Sequence, residues 1–193
     1  MNEFDKMRAG HSYDPKAPEV LAVSQQAREL MAQLNHNPHA DGGMLCRALF
    51  DQFGEASYVT PPFYCEFGKT VSIGQSTFLN MGVTMLDNAE IHIGNNVLIG
   101  PNAQLYTPSH PLDYRQRRNW VTICKPIIIE DDVWIGGQAV ICQGVTIGAR
   151  SVVAANATVT KDVPPDTLVA GSPAKIIRHL TENESREDIK RDD

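Results

Sequence analysis

The sequence predicts a mainly β chain: a parallel β-helix of six-residue repeats with an N-terminal helical cap and one long extruded loop. Three observations predict it. A branched aliphatic residue returns every sixth position, at Ile93, Ile99, Leu105, Ile129, Ile135, Ile141, Ile147, Val153 and Val159. Four residues after each stands a small or slim one: Val97, Ala103, Ser109, Val133, Ala139, Val145, Ser151, Ala157 and Val163. The register breaks at length once, between His110 and Ile128. A period of six fits neither the 3.6-residue helix nor the two-residue strand alternation. Sustained, it marks a chain coiling around one long core.

Residues 1–57 read as the cap. From Glu19 to Leu34 the apolar residues Val20, Leu21, Val23, Ala27, Leu30, Met31 and Leu34 fall at helical spacing, and Asn35, Asn37 and Pro38 stop the segment. A second helix is expected from about Asp41 to Phe53, with Asp41 as N-cap and Gly54 as stop. Such a cap covers the open core and strand edges of the end coil.

Residues 58–170 read as the coil, entered through Pro61-Pro62. Ile73, Leu79 and Met85 give an early run, with Thr77, Val83 and Ala89 at the slim position. The phase slips by two residues around Ile91-His92, just after Asp87-Asn88, which points to a bulge or a bent corner. Gly94, Gly100, Gly136, Gly148, Asn95 and Asn156 are expected to carry unusual backbone angles at corners. The loop, 111–128, contains Leu112, Tyr114, Trp120, Val121 and Ile123, too apolar for a solvated linker; loops of this length are usually functional. Residues 171–193 read as a C-terminal extension, whose charged tail from Thr181 to Asp193 is expected to be frayed or helical on the surface.

At 193 residues and 42% hydrophobic, the chain suits one globular domain. No apolar run approaches the roughly 18 residues that span a bilayer. The start, MNEFDKMRAG, lacks the apolar stretch of a signal peptide, so a cytoplasmic location is expected. Cys46, Cys65, Cys124 and Cys142 form no C-x-x-C and no zinc spacing, and read as reduced thiols. A net charge of −6 argues against nucleic acid as a partner.

His110 is the leading catalytic candidate. It closes the segment YTPSH immediately before the large loop, and imidazole has the pKa of a general base near neutrality. Three segments then carry a resemblance: NMGVTMLDNAEIHIGNNVLIGPNAQLYTPSHP, VWIGGQAVICQGVTIG and VTKDVPPDTLVAGSPAKIIR, with MRAGHSYDP at the start. They resemble the maltose/galactoside O-acetyltransferase group of hexapeptide-repeat acyltransferases, which depend on acetyl-CoA and no metal. The resemblance implies a left-handed coil, against the usual crossover rule. It also implies a homotrimer whose acetyl-CoA and acceptor meet between neighbouring subunits.

Residue by residue, the resemblance implies that His110 deprotonates an acceptor hydroxyl that attacks the thioester directly. Asp14, Asn80, Asn88 and Glu66 fall at acceptor-side positions. Asn88 stands where relatives often have Asp. Glu66 replaces a small polar residue of the galactoside enzymes, which puts the sugar preference in question. The backbone N–H of Gly137 falls at the oxyanion donor, beside Trp134. Ala155, Thr160, Lys161, Lys175 and Arg178 fall at CoA-binding positions, the cations meeting its phosphates; Lys175 cannot make the bidentate fork of the arginine in some relatives. Where many relatives carry a glutamate before the K-P-I that re-enters the coil, this chain reads NWVTIC, an apolar substitute. Other readings of the coil are a related transferase acting on an antibiotic or lipo-oligosaccharide, and a non-catalytic trimeric scaffold. A zinc carbonic anhydrase type needs three histidines on the metal, and the coil holds only His92 and His110.

Overall fold

The computed structural model describes residues 1–11 and 13–180. The aliphatic residues of the six-residue register point inward and build a three-faced parallel β-solenoid. Strands Val71–Ile73, Ile91–Ile93, Ile127–Ile129 and Thr146–Ile147 stack on a first face, headed by Gln52–Phe53. Tyr58–Val59, Phe78–Leu79, Leu98–Ile99, Trp134–Ile135, Val152–Val153 and Thr167–Ala170 make the second. Tyr64–Cys65, Thr84–Leu86, Gln104–Tyr106, Val140–Ile141 and Thr158–Val159 make the third. Parallel ladders between successive turns satisfy the backbone, and the first strand pairs as early as Gln52 with Ser72.

The two-residue slip is a corner, and it recurs. Phe53 pairs with Ile73 and Ile73 with Ile93, a turn of twenty residues; Ile129 pairs with Ile147, a turn of eighteen. The extra pair lies at the corner between the third and first faces. There the buried Asp87 carboxylate accepts the N–H groups of Glu66 (2.7 Å), Phe67 (3.1 Å) and Gly68 (2.7 Å). It also accepts the Thr70 hydroxyl at 2.7 Å. Asp87 thus supplies acceptors for a corner too wide to close its own hydrogen bonds.

Corner glycines serve a different purpose from the expected one. Gly94, Gly100, Gly136 and Gly148 do not adopt positive φ; the left-handed angle falls two residues later, at Asn96 (φ 56°), Asn102 (φ 57°), Gln138 (φ 59°) and Arg150 (φ 60°). Glycine is needed for room. A Cβ on Gly74 would lie 2.6 Å from the Gly94 carbonyl, one turn above. Gly54, expected to stop a helix, belongs to the same column, its Cβ only 2.3 Å from Gly74. Asn156 does take φ 60°, whereas Asn95 uses its side-chain oxygen to accept the Gln75 N–H at 2.9 Å.

The cap has three helices: α1 (Glu3–Arg8), α2 (Pro18–His36) and α3 (Gly42–Leu49). The predicted Asp41 N-cap accepts the Met44 N–H at 2.9 Å, but α3 ends at Leu49 because the chain turns into the coil there. Met31, Leu34, Cys46, Leu49 and Phe50 close the open first turn over Val59 and Phe63. Asn35 clamps the junction, exchanging two 2.9 Å hydrogen bonds with the Phe63 backbone. α1 has its own small core of Met7, Ala17, Val20 and Phe67, and Arg8 ties it to the coil through Glu90 at 2.6 Å.

After Thr107 the chain leaves the coil. Pro108–Ser109 and Ile123–Cys124 pair antiparallel at the neck of the loop, so Ser109 lies outside the slim core column. Beyond Ala170 the strand Lys175–His179 folds back antiparallel on the second face. The expected tail, 181–193, lies outside the described residues.

Candidate active site

His110 stands exposed where the chain steps off the third corner into the loop. Its Nδ1 lies 2.9 Å from the Val121 carbonyl oxygen. A carbonyl only accepts, so Nδ1 carries the proton and the free lone pair is on Nε2. One backbone contact therefore sets both the ring's orientation and its tautomer.

The loop is built to hold that carbonyl. Asp113 caps the short helix α4 (Tyr114–Arg117), and Arg117 binds the carbonyls of Pro111 (2.8 Å) and Leu112 (2.6 Å). Arg115 and Arg118 lie over the Tyr114 ring at 5.4 and 4.9 Å. Trp120 is held at φ 55° with 83% of its surface exposed. A bulky residue in left-handed backbone is strained, and such strain collects at functional sites.

Between loop and N-terminal arm lies a cleft of about 460 Å³. Met7, Gly10, His11, Tyr13 and Pro15 form one wall; Asn119, Trp120, Val121, Thr122, Ile123 and Cys124 form the other. Trp120, Val121 and Ile123 give the loop wall its apolar side chains, with Asn119 and Thr122 between them. Near Tyr13 and Cys124, the buried Asn88 amide hydrogen-bonds the side chains of Tyr13 and Glu66. Burial pushes the Tyr13 phenol and the Glu66 carboxyl above their usual ranges, partly opposed by Asn88. Burial also pushes the Cys124 thiol up to about 11 and the Cys46 thiol to about 12, and raises Cys65 and Cys142. None of the four is activated as a nucleophile.

The remaining candidates lie on other parts of the prism. Asn80, Gly137 and Ala155 sit on the corner between the second and third faces. Asn80 accepts the Met81 N–H at 2.8 Å, and the Gly137 carbonyl accepts the Asn156 N–H at 2.9 Å. Thr160 and Lys161 are exposed on the same corner as His110, two turns further along the coil. Lys175 and Arg178 are on the back-folded strand, opposite Ala170 and Leu168. Trp134 lies on the outer second face between Leu98 and Val152. Asp14, exposed on the arm, accepts the Lys16 N–H at 2.9 Å. So one chain brings together His110, the cleft, Glu66 and Asn88, and keeps Asn80 and Gly137 on another edge. Sequence reasoning missed Tyr13 and the Val121 carbonyl. Tyr13 was visible only inside the motif MRAGHSYDP, and a backbone acceptor has no residue signature.

Comparison with known proteins agrees along the chain. Residues 6–56 match the maltose acetyltransferase hexapeptide capping motif, and residues 126–161 match the hexapeptide repeat of succinyl-transferase. The galactoside O-acetyltransferase of Escherichia coli is 34% identical over 183 residues, covering 93% of this chain and 90% of that protein. The chain belongs to the maltose/galactoside O-acetyltransferase group. A hexapeptide-repeat acetyltransferase of Vibrio cholerae, solved with acetyl coenzyme A, is 57% identical with a TM-score of 0.92, covering 94% of this chain and 100% of that one. A galactoside acetyltransferase solved with coenzyme A is 32% identical with a TM-score of 0.89, covering 96% and 94%. As a member of this group the chain is an acyltransferase on a parallel β-solenoid. No described helix is long and apolar enough to cross a membrane.

Proposed function

We propose that this acyltransferase moves an acetyl group from acetyl-CoA to a hydroxyl of a sugar or glycoside, by direct transfer, with His110 as general base. The observation that carries the reading is the hydrogen bond from His110 Nδ1 to the Val121 carbonyl at the rim of the cleft. It leaves Nε2 free to take the proton of an acceptor hydroxyl. The hydroxyl oxygen then attacks the thioester carbonyl, the new C–O bond forms and the C–S bond breaks. The proton passes from the imidazolium to the departing thiolate, so the base is restored. The elevated thiols favour this route over an acyl-cysteine.

Negative charge developing on the carbonyl oxygen needs a donor. The Gly137 N–H suits the task, because no described backbone acceptor takes it up. Thr160, Lys161, Lys175 and Arg178 supply polar and positive groups for the CoA phosphates, and the exposed Ala155 lies on the Gly137 corner. We infer that two copies complete each site, within a homotrimer. Two observations support this. His110 and Gly137 occupy different corners of one prism. The outward residues of the second face run Tyr58, Phe78, Leu98, Trp134, Val152, Leu168 in register, an unbroken apolar stripe. A parallel sheet with such an outer face is normally covered.

The test is thiol release from acetyl-CoA with a panel of sugars and glycosides, comparing the wild type with His110→Ala. Turnover is expected to fall about 10²–10⁴-fold with CoA binding retained. Wild-type turnover in the variant would remove His110 from the mechanism.

A further inference from the structure

Beside Tyr13 and Cys124 of the cleft walls lies a carboxyl, Glu66, that no described cation meets in an ion pair. Glu66 is half-buried, and the ion pairs among the described residues join Lys6 to Glu3, Arg8 to Asp51 and Glu90, and Arg150 to Asp166. Arg28, whose charge reaches Glu66 weakly, turns its guanidinium to the Ser24 oxygens at 3.3 and 3.0 Å. Behind Glu66 the Asp87 carboxylate is spent on backbone N–H groups, adding negative charge and no positive. Asn88 holds Glu66 in place through one amide, whereas a carboxylate can accept about four hydrogen bonds. Tyr13 and Cys124 both line the cleft and both lie close enough to Glu66 to feel its charge, so the carboxyl stands beside these two wall residues. Burying a carboxylate without a cation costs free energy unless a ligand meets it.

We propose that Glu66 selects the acceptor by pairing with an ammonium group on it, so that the favoured acceptors are amino sugars or their glycosides. The inference rests on the acetyl-transfer reading above. It also fixes the chemistry of the product. An ammonium held against a carboxylate has no lone pair and cannot attack. The hydroxyl delivered to His110 Nε2 therefore forms the C–O bond as the C–S bond breaks, its proton goes through the imidazole to the thiolate, and the amine leaves unmodified.

The test uses the full chain, acetyl-CoA, and methyl glucoside and methyl galactoside, each beside analogues with one hydroxyl replaced by an amine at each ring position in turn. At a pH where the amine is protonated, the best amino analogue is expected to exceed its parent about tenfold in kcat/KM, as for a partly desolvated ion pair. Glu66→Gln is expected to bring the two to parity by slowing the amino acceptor, with the KM for acetyl-CoA unmoved. The product is expected to be an ester, cleaved by hydroxylamine. Parity in the wild type, equal loss on both acceptors in Glu66→Gln, or a hydroxylamine-stable amide overturns the proposal. If no acceptor releases thiol, the acetyl-transfer reading falls by itself. Calorimetric binding of the same pairs to wild type and Glu66→Gln, with CoA present, then decides: an amine preference lost in the variant supports the proposal, and no preference overturns it.

Discussion

Replacing Asp87 by alanine tests whether the wide corner depends on one side chain. The carboxylate accepts four donors, from Glu66, Phe67, Gly68 and Thr70. They are not equal. The Thr70 hydroxyl also reaches the Asp87 backbone carbonyl at 2.5 Å, so it keeps a partner. Glu66 is only half-buried, so its N–H is the least costly of the three to leave unpaired. The buried N–H groups of Phe67 and Gly68 are left with nothing, at about 1–3 kcal/mol each. Relief of the carboxylate's own desolvation offsets part of this, which leaves a net loss of about 2–4 kcal/mol. For a chain of this length that is a fall in Tm of about 5–15 °C. Melts should be compared at one protein concentration, because self-association would itself shift Tm. Asp87→Asn keeps one acceptor oxygen and should fall between.

The pH dependence supplies a second readout with a definite sign. Burial raises the Asp87 carboxyl above its ordinary value of 3.8, outweighing the hydrogen bonds that lower it. The folded state thus binds a proton more readily than the unfolded one. Its contribution is fully present below the unfolded value and is lost as pH rises through the folded one. The gap between wild type and Asp87→Ala should therefore widen as pH falls toward 4. A Tm within about 1 °C of wild type, or a gap that narrows on acidification, would refute the reasoning.

Three further outcomes follow from other positions. Gly74→Ala forces a Cβ to within 2.6 Å of the Gly94 carbonyl, and should cost about 1–3 kcal/mol in urea unfolding; a stabilised variant would contradict the close-stacking account. Trp134→Glu places a charge in the apolar stripe of the second face, so sedimentation should show a smaller species than the wild type; an unchanged mass would remove that stripe from the subunit contact. Trp120→Gly relieves left-handed strain worth about 1–2 kcal/mol while deleting a cleft wall, so Tm should hold or rise and the acceptor KM should increase with the KM for acetyl-CoA unmoved. A fall in Tm, or an unchanged acceptor KM, would count against it.

The inward side of the coil was legible because each buried position repeats one requirement: Ile129, Ile135, Ile141 and Ile147 all fill the same core. The corners were harder, because several residue types meet one need. Asn96, Ser76 and Ala56 all take the left-handed angle, so glycine drew attention to the wrong position. The slip at Ile91-His92 looked singular because only one of its two occurrences interrupts an aliphatic run. The earlier one, between Cys65 and Ile73, falls where the repeat has scarcely begun. His110 could be read from its place before the loop. Its partner could not, since Val121 contributes only a backbone oxygen, and helix α4, which helps to position that oxygen, is a four-residue element without periodicity.

The two walls of the cleft share a property that bears on how such a site changes substrate. Neither belongs to the solenoid. The loop joins it through the short ribbon of Pro108–Ser109 and Ile123–Cys124. The arm joins it through a satellite core around Met7 and Phe67 and the partly exposed Arg8–Glu90 pair. The oxyanion candidate Gly137, by contrast, is stacked between corners of the coil by backbone contacts that leave no room for a Cβ on Gly100 or Gly136, whereas the proposed base His110 follows the ribbon strand Pro108–Ser109 and takes its ring orientation from Val121 of the loop. The oxyanion candidate is thus attached to rigid backbone, while acceptor recognition and the orientation of His110 rest on segments held by a few contacts. Changes in the arm or at Glu66 can then alter which acceptor binds without moving His110 relative to the coil, whereas a change in the loop must keep the Val121 carbonyl in place. On this account, grafting the loop and arm of a relative should move acceptor preference and leave the KM for acetyl-CoA in place. A graft that changed both together would mean that the walls and the solenoid form one mechanical unit.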